Sequence, residues 1–214
     1  MAYRCIIFDF DGTLADTEEL VFDIYNAMAK KYKYTPIEKQ QLHHLKEMPL
    51  HEIMKLIDIP FYKVPFVLKE GRLRLHAKLD AIQAFTPEIG VILNTLCRRM
   101  DYIGIVTSNV EPTVRCFLKR YGLERSIDFI LCSSLLSKQR QIRKVLKQYN
   151  LKKEEVLYVG DESRDIIACH RAGVDIAAVS WGYNTAAALV RCHPTYLIDS
   201  LDDLLTILEY QQHE

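Results

Sequence analysis

The chain has 214 residues, 49% of them hydrophobic, enough to bury the core of one large domain or of a domain carrying an insert. Lys plus Arg and Asp plus Glu both number 28. This balance argues against nonspecific nucleic-acid binding, which neutralises phosphates with surplus Lys and Arg. No apolar stretch approaches the ~20 residues of a membrane span, and Met1-Ala2-Tyr3-Arg4 runs straight into a short apolar segment rather than a secretory leader. A cytoplasmic protein is expected, without membrane or nucleic-acid partners.

The first apolar run, Cys5-Ile6-Ile7-Phe8, is closed by acids. Further runs lie at Tyr102 to Val106, Phe129 to Cys132, Val156 to Val159, Ile176 to Val179 and Tyr196 to Ile198. Continuous rather than alternating apolar character predicts strands buried on both faces, as in a parallel sheet. Helical patterns separate them at Glu88 to Arg99, Pro112 to Tyr121, Gln139 to Tyr149, Ser163 to Ala172 and Leu201 to Tyr210. Strand and helix alternate, which predicts a doubly wound, mostly parallel α/β core of the Rossmann-like kind.

The segment 17–84 breaks the rhythm. It shows no convincing strand, and Leu20, Ile24, Ala27 and Met28 recur at helical spacing. Asp16 followed by Glu19 reads as a helix N-cap with its capping-box partner. Helical pieces follow around Ile37 to Lys46, Leu50 to Ile57 and Val67 to Leu79, with Pro36, Pro49, Pro60 and Pro65 as breaks. The expected organisation is a core of residues 1–16 plus 85–214, with a small all-helical cap, 17–84, inserted after the first strand. The six cysteines form no CxxC pair, so no zinc site is expected, and they read as free, mostly buried thiols of a reducing compartment.

Chemistry gathers at the predicted strand ends. Asp9 and Asp11 follow the first strand, where open α/β sheets collect ligands. Two carboxylates this close repel, a repulsion that a divalent cation relieves. Gly12 permits a sharp turn after them. Thr107-Ser108-Asn109 ends the second strand and offers small donors for phosphate oxygens, or else caps the helix that follows. Lys138, with Arg140 as a nearby competitor, suits a phosphate and a nucleophile together. Asp161 follows the fourth strand, and Asp165 lies one helical turn on. The two can complete a cation cage with Asp9, although Asp165 could equally bind through water or orient Lys138.

Asp9-Phe10-Asp11-Gly12-Thr13, Thr107-Ser108-Asn109, Lys138 and Gly160-Asp161 to Asp165, in that order, resemble the haloacid dehalogenase superfamily, and more narrowly its phosphoglycolate phosphatase-like branch. Trp181-Gly182-Tyr183 is similar to that branch as well. The chain departs from the usual pattern at Lys138-Gln139, where Lys-Pro is common, and at Phe85 to Gly90, where a Pro-Gly turn is common. The resemblance implies hydrolysis of a small phosphorylated metabolite. Asp9 would be the nucleophile that carries the phosphoryl group, and Asp11 the general acid and base. Thr107, Lys138, the Ser108 amide and Asn109 would hold the phosphoryl oxygens. Mg²⁺ would sit on Asp9, the Asp11 carbonyl and Asp161, with Asp165 nearby. Dehalogenases lack the second aspartate, so Asp11 favours a phosphatase over them. A phosphomutase, a receiver-like phosphoacceptor and a catalytically silent binder are the competing readings.

Overall fold

The computed structural model describes residues 2–133 and 137–210; Met1, 134–136 and 211–214 lie outside the described residues. The strands are β1 (Cys5–Phe8), β2 (Ala15–Asp16), β3 (Gln83–Ala84), β4 (Tyr102–Thr107), β5 (Phe129–Cys132), β6 (Val156–Gly160), β7 (Asp175–Val179) and β8 (Tyr196–Ile198). The helices are α1 (Glu18–Tyr32), α2 (Leu42–Lys46), α3 (Leu50–Leu56), α4 (Val64–His76), α5 (Ile89–Leu96), α6 (Glu111–Arg120), α7 (Lys138–Gln148), α8 (Ser163–Ala172), α9 (Ala186–Val190) and α10 (Asp203–Tyr210). Six strands form one parallel sheet in the order β5-β4-β1-β6-β7-β8. The chain thus winds outward one way from β1 through β4 to β5, then returns to the other side of β1 through β6, β7 and β8. The reversal lies between β1 and β6, the place where such sheets bind ligands.

The apolar runs are continuous because both sheet faces are covered. Ile6 and Phe8 of β1 and Leu157 and Val159 of β6 join one buried cluster, and Cys5, Ile7, Val156 and Tyr158 join the other. Successive strand residues point to opposite faces, so a strand between two helical layers has no position to spare for a polar residue.

Four expectations are corrected. The segment after β1 contains a short antiparallel ribbon: Ala15 pairs with Ala84, and Asp16 with Gln83. Two residues are too few for a visible alternation. Helix α1 is capped by Thr17 rather than by Asp16, and the Thr17 side chain makes no capping hydrogen bond. Pro65 does not break a helix but sits in the first turn of α4, where its missing N–H is no loss. Helix α9 was not foreseen; five residues carry little periodicity. All six cysteines are free, but only Cys5 and Cys169 are buried.

The helices α1 to α4 lie between the two strands of the ribbon, and α2 reaches the core beyond β7. The Lys46 carbonyl accepts from Asn184 Nδ2 at 2.9 Å and from the Thr185 amide at 3.1 Å, and the Glu47 carbonyl accepts from Arg191. These bonds satisfy carbonyls that a helix end leaves open. Among the described residues, no helix is long and apolar enough to cross a membrane.

Candidate functional site

Sheet geometry brings the predicted acids together. The Asp9 amide donates to the Val159 carbonyl at 2.8 Å, which extends the β1–β6 ladder by one residue. Phe10 then turns into the core against Phe117, ring edge to face at 5.1 Å between centroids. Asp9 and Asp11, on either side of it, are thereby kept out of the apolar layer. The Phe10 carbonyl accepts from the amides of Leu14 and Ala15, both at 3.0 Å, closing a tight loop.

Asp9, Asp161, Glu162 and Asp165 each place one carboxylate oxygen within 4.8 Å of the others. Asp9, Asp161 and Asp165 are buried. Buried Lys138 donates its Nζ to Asp9 Oδ2 and to Asp165 Oδ1. Arg140 is exposed, so geometry favours Lys138 over its competitor. Asp165 occupies the lysine-orienting position that the sequence left open. It also receives the Glu162 amide on Oδ2, which makes it one half of the capping box of α8. One lysine among three buried carboxylates leaves two negative charges uncompensated when all are ionised, since Arg164 is spent on Glu162. Burial pushes the Asp9 carboxyl up to about 7, against the pull of Lys138, and lifts Asp161 well above the ordinary carboxylate range. Lys138 is raised: its two carboxylates outweigh the burial that opposes its charge. A largely buried cluster of carboxylate oxygens with this charge suits a hard divalent cation.

Asp161 is seated with little freedom. Its Oδ1 accepts from Thr13 Oγ1 at 3.0 Å, and its Oδ2 from the Tyr183 amide at 2.8 Å. Glycine is required on both sides. Gly12 has φ +79, and a Cβ there would lie 2.1 Å from Asp161 Oδ2; at Gly182 a Cβ would lie 2.2 Å from Asp161 Cβ. We expect Gly182→Ala to displace Asp161 and to cost about 1–3 kcal/mol, as overpacking does, seen as a thermal melt lowered by several degrees. An unchanged melting temperature would show that the cradle yields freely.

Asp11 lies apart from the acid cluster. Its Oδ1 accepts from Thr17 Oγ1 at 3.0 Å, and Asn109 Nδ2 donates to both its oxygens, at 3.1 and 3.0 Å. Burial raises its pKa, with the Asn109 and Thr17 bonds opposing. This explains the empty N-cap of α1: the Thr17 hydroxyl is engaged with Asp11 and, at 2.7 Å, with the Tyr183 hydroxyl. The Asn109 side chain is likewise spent, on Asp11 and on the Val110 amide. Thr107 is buried, its Oγ1 accepting from the Asn109 amide at 3.0 Å. The Asp11 carboxylate is thus held by Thr17 and Asn109.

A cavity of about 320 Å³ opens beside Asp11, Ser108 and Asn109 and runs between α1, α2, α3 and α4. Its described lining includes Asp11 but not Asp9, Thr107 or Lys138. Of the cations in the second half of the insert, Arg72 lines this cavity. Lys63 is bound to the Tyr32 carbonyl, Arg74 is paired with Glu70, and His76 meets Thr113. Sequence reasoning gave no role to Glu162 and Arg164, although both lie inside the Gly160 to Asp165 motif. It missed Asn184 entirely. The Asn184 amide donates to the Asp161 carbonyl at 3.3 Å, and its Oδ1 accepts from the Ser163 amide at 2.8 Å; its one sequence signal is that it directly follows Trp181-Gly182-Tyr183.

The family model for haloacid dehalogenase-like hydrolases matches residues 6–179. A phosphoglycolate phosphatase of Synechococcus elongatus is 32% identical over 203 residues, which cover 94% of this chain and 95% of that protein. The pyrophosphatase PpaX of Bacillus mycoides is 28% identical over 212 residues, 97% of this chain and 98% of that protein. The solved structure of a haloacid dehalogenase-like family hydrolase from Streptococcus pneumoniae superposes with a TM-score of 0.79 at 22% identity, over 96% of this chain and 98% of that one, and so shares the fold. The chain belongs to the haloacid dehalogenase-like hydrolase family.

Proposed function

We propose that the protein is a magnesium-dependent phosphatase that hydrolyses a small phosphate monoester through a phosphoryl group held on Asp9. The observation that carries this reading is the buried acid cluster at the β1–β6 reversal, with Lys138 between Asp9 and Asp165. The relatives named as phosphatase and pyrophosphatase support phosphate chemistry. The free cysteines suit a cytoplasmic protein. We read α1 to α4, within residues 17–84, as a cap over the core formed by 1–16 and 85–214.

An Asp9 carboxylate oxygen attacks phosphorus, and the bond from phosphorus to the leaving oxygen breaks. The departing oxygen takes the Asp11 proton. Asp11, now ionised, removes a proton from water, and the resulting hydroxide attacks phosphorus, breaks its bond to Asp9 and releases inorganic phosphate. Lys138, Thr107 and the Ser108 amide hold the equatorial oxygens, and Asn109 contributes by orienting Asp11. Asp9, Asp161 and the Asp11 carbonyl would hold Mg²⁺, with Asp165 or Glu162 nearby. The bound cation supplies charge neutralisation between the nucleophile and the phosphate.

The test is phosphate release from a panel of small phosphoesters, with Mg²⁺ or with chelator. Turnover that requires the metal is expected; a folded protein silent on every ester would overturn the reading. A second expectation concerns stability. Asp9 is raised from the ordinary 3.8 to about 7. A raised carboxyl favours folding below its unfolded pKa, and that contribution is lost as pH climbs through the folded one. Metal-free protein should therefore lose stability between about pH 4 and 7, and Mg²⁺ should restore it. The Mg²⁺-induced rise in Tm should accordingly grow across that window. A Mg²⁺ effect independent of pH would separate the cation from Asp9.

A further inference from the structure

Arg164 stands in the first turn of α8, where the helix dipole disfavours a cation, and its side chain is only 19% exposed. Glu162 holds it there: Arg164 Nε donates to Glu162 Oε2 at 2.7 Å, and Nη2 donates to the same oxygen. The third nitrogen, Nη1, is buried and makes no hydrogen bond among the described residues. A buried guanidinium donor without an acceptor is costly, so this one calls for an oxygen that the protein does not supply.

Arg164 and Arg72 line the same cavity as Asp11. Burial pushes the nearby Tyr25 hydroxyl up to about 12, and the charges of Arg72 and Arg164 both oppose that push, Asp11 reinforcing it. The three charged groups thus share one neighbourhood. Much of the remaining wall is apolar, including Val21, Ile24 and Leu75, and offers an anion nothing. Arg72 makes no ion pair among the described residues, and Glu162 already fixes the Arg164 fork at a defined angle. A planar, pre-positioned guanidinium recognises carboxylate or phosphate oxygens well.

We propose that Arg164, positioned by Glu162 and aided by Arg72, reads a second anionic group, carboxylate or phosphate, on the leaving portion of the substrate. The inference rests on the proposed placing of Asp11 at the leaving oxygen, because the cavity opens on Asp11 and not on Asp9.

The test is binding of three phosphonates to the Mg²⁺-loaded protein by calorimetry at fixed free Mg²⁺. Methylphosphonate has no second anion, phosphonoacetate adds a carboxylate, and methylenediphosphonate adds a phosphonate. Wild-type protein should bind at least one of the latter two about 10- to 100-fold more tightly than methylphosphonate, the range of one charged hydrogen bond. The tighter ligand identifies the second group. In Arg164→Met that ratio should collapse toward one, and Arg72→Met should reduce it. Arg164→Lys, which keeps the charge but not the fork, should lower it at least threefold and serves if the Met variant does not fold. A wild-type ratio near one, or a ratio unchanged in folded Arg164 variants, would overturn the proposal. Turnover of ethyl phosphate, measured separately, tests the phosphatase reading, so the two can fail independently.

Discussion

Asp9→Asn is expected to lower phosphate release by about 10⁴-fold or more while leaving the protein folded. An amide at this position cannot form the acyl phosphate, so the route through residue 9 closes rather than slows. Stability should move the other way. At neutral pH the Asp9 carboxylate is one of three buried acids around Lys138, and burial has already pushed its carboxyl up to about 7. Asparagine removes one charge from that crowd, and Asp165 remains to hold the Lys138 ammonium. In chelator above pH 7, the variant should therefore melt at or above the wild-type temperature. With Mg²⁺ the order should reverse, since the wild type gains a ligand that the variant lacks. Phosphate release within tenfold of wild type would remove Asp9 from the nucleophile role. An inactive variant that melts many degrees lower would make the loss structural rather than chemical.

Asp11→Asn is expected to slow turnover by about 10²- to 10⁴-fold, the usual worth of a positioned acid or base. Its effect should depend on the leaving group, which distinguishes it from Asp9→Asn. An alkyl alcohol needs a proton as it departs, whereas p-nitrophenolate departs nearly unaided. The first step should suffer more for ethyl phosphate than for p-nitrophenyl phosphate. With the latter, the phosphorylated enzyme should accumulate, because the water of the second step still lacks its base. Intact-mass measurement after rapid acid quench would detect it. Burial raises the Asp11 carboxyl above the usual range even against Asn109 and Thr17. The wild-type rate on alkyl esters should hence fall on the alkaline side, as pH rises through that raised value. Equal losses on both esters, with no phosphorylated enzyme, would take the acid and base role away from Asp11.

The strands were legible because covering both sheet faces forces unbroken apolar runs such as Cys5 to Phe8 and Val156 to Val159. Asp9, Asp11 and Asp161 stand out for a related reason, each at or just beyond the carboxyl end of such a run, and Asp165 by its place one helical turn past Asp161. The two-residue ribbon and α9 were not, since neither is long enough to show a period. Asp16 misled as the N-cap of α1 because it belongs to the ribbon, paired with Gln83, and the hydroxyl of Thr17, the residue that does start the helix, is engaged elsewhere. A hydroxyl shared by Asp11 and Tyr183 crosses 166 residues of sequence, and no local rule reports it.

Residue types and their spacing along the chain determined the fold class, the order of the motifs and the family, because burial and turn chemistry act over a few neighbouring residues. Tertiary structure alone decided the partners. It set Lys138 between Asp9 and Asp165, Asn109 on Asp11, Gly12 and Gly182 around Asp161, and Arg164 with one nitrogen unpaired. Those contacts join residues on different strands and loops, and only the winding order of the sheet brings them within hydrogen-bonding distance.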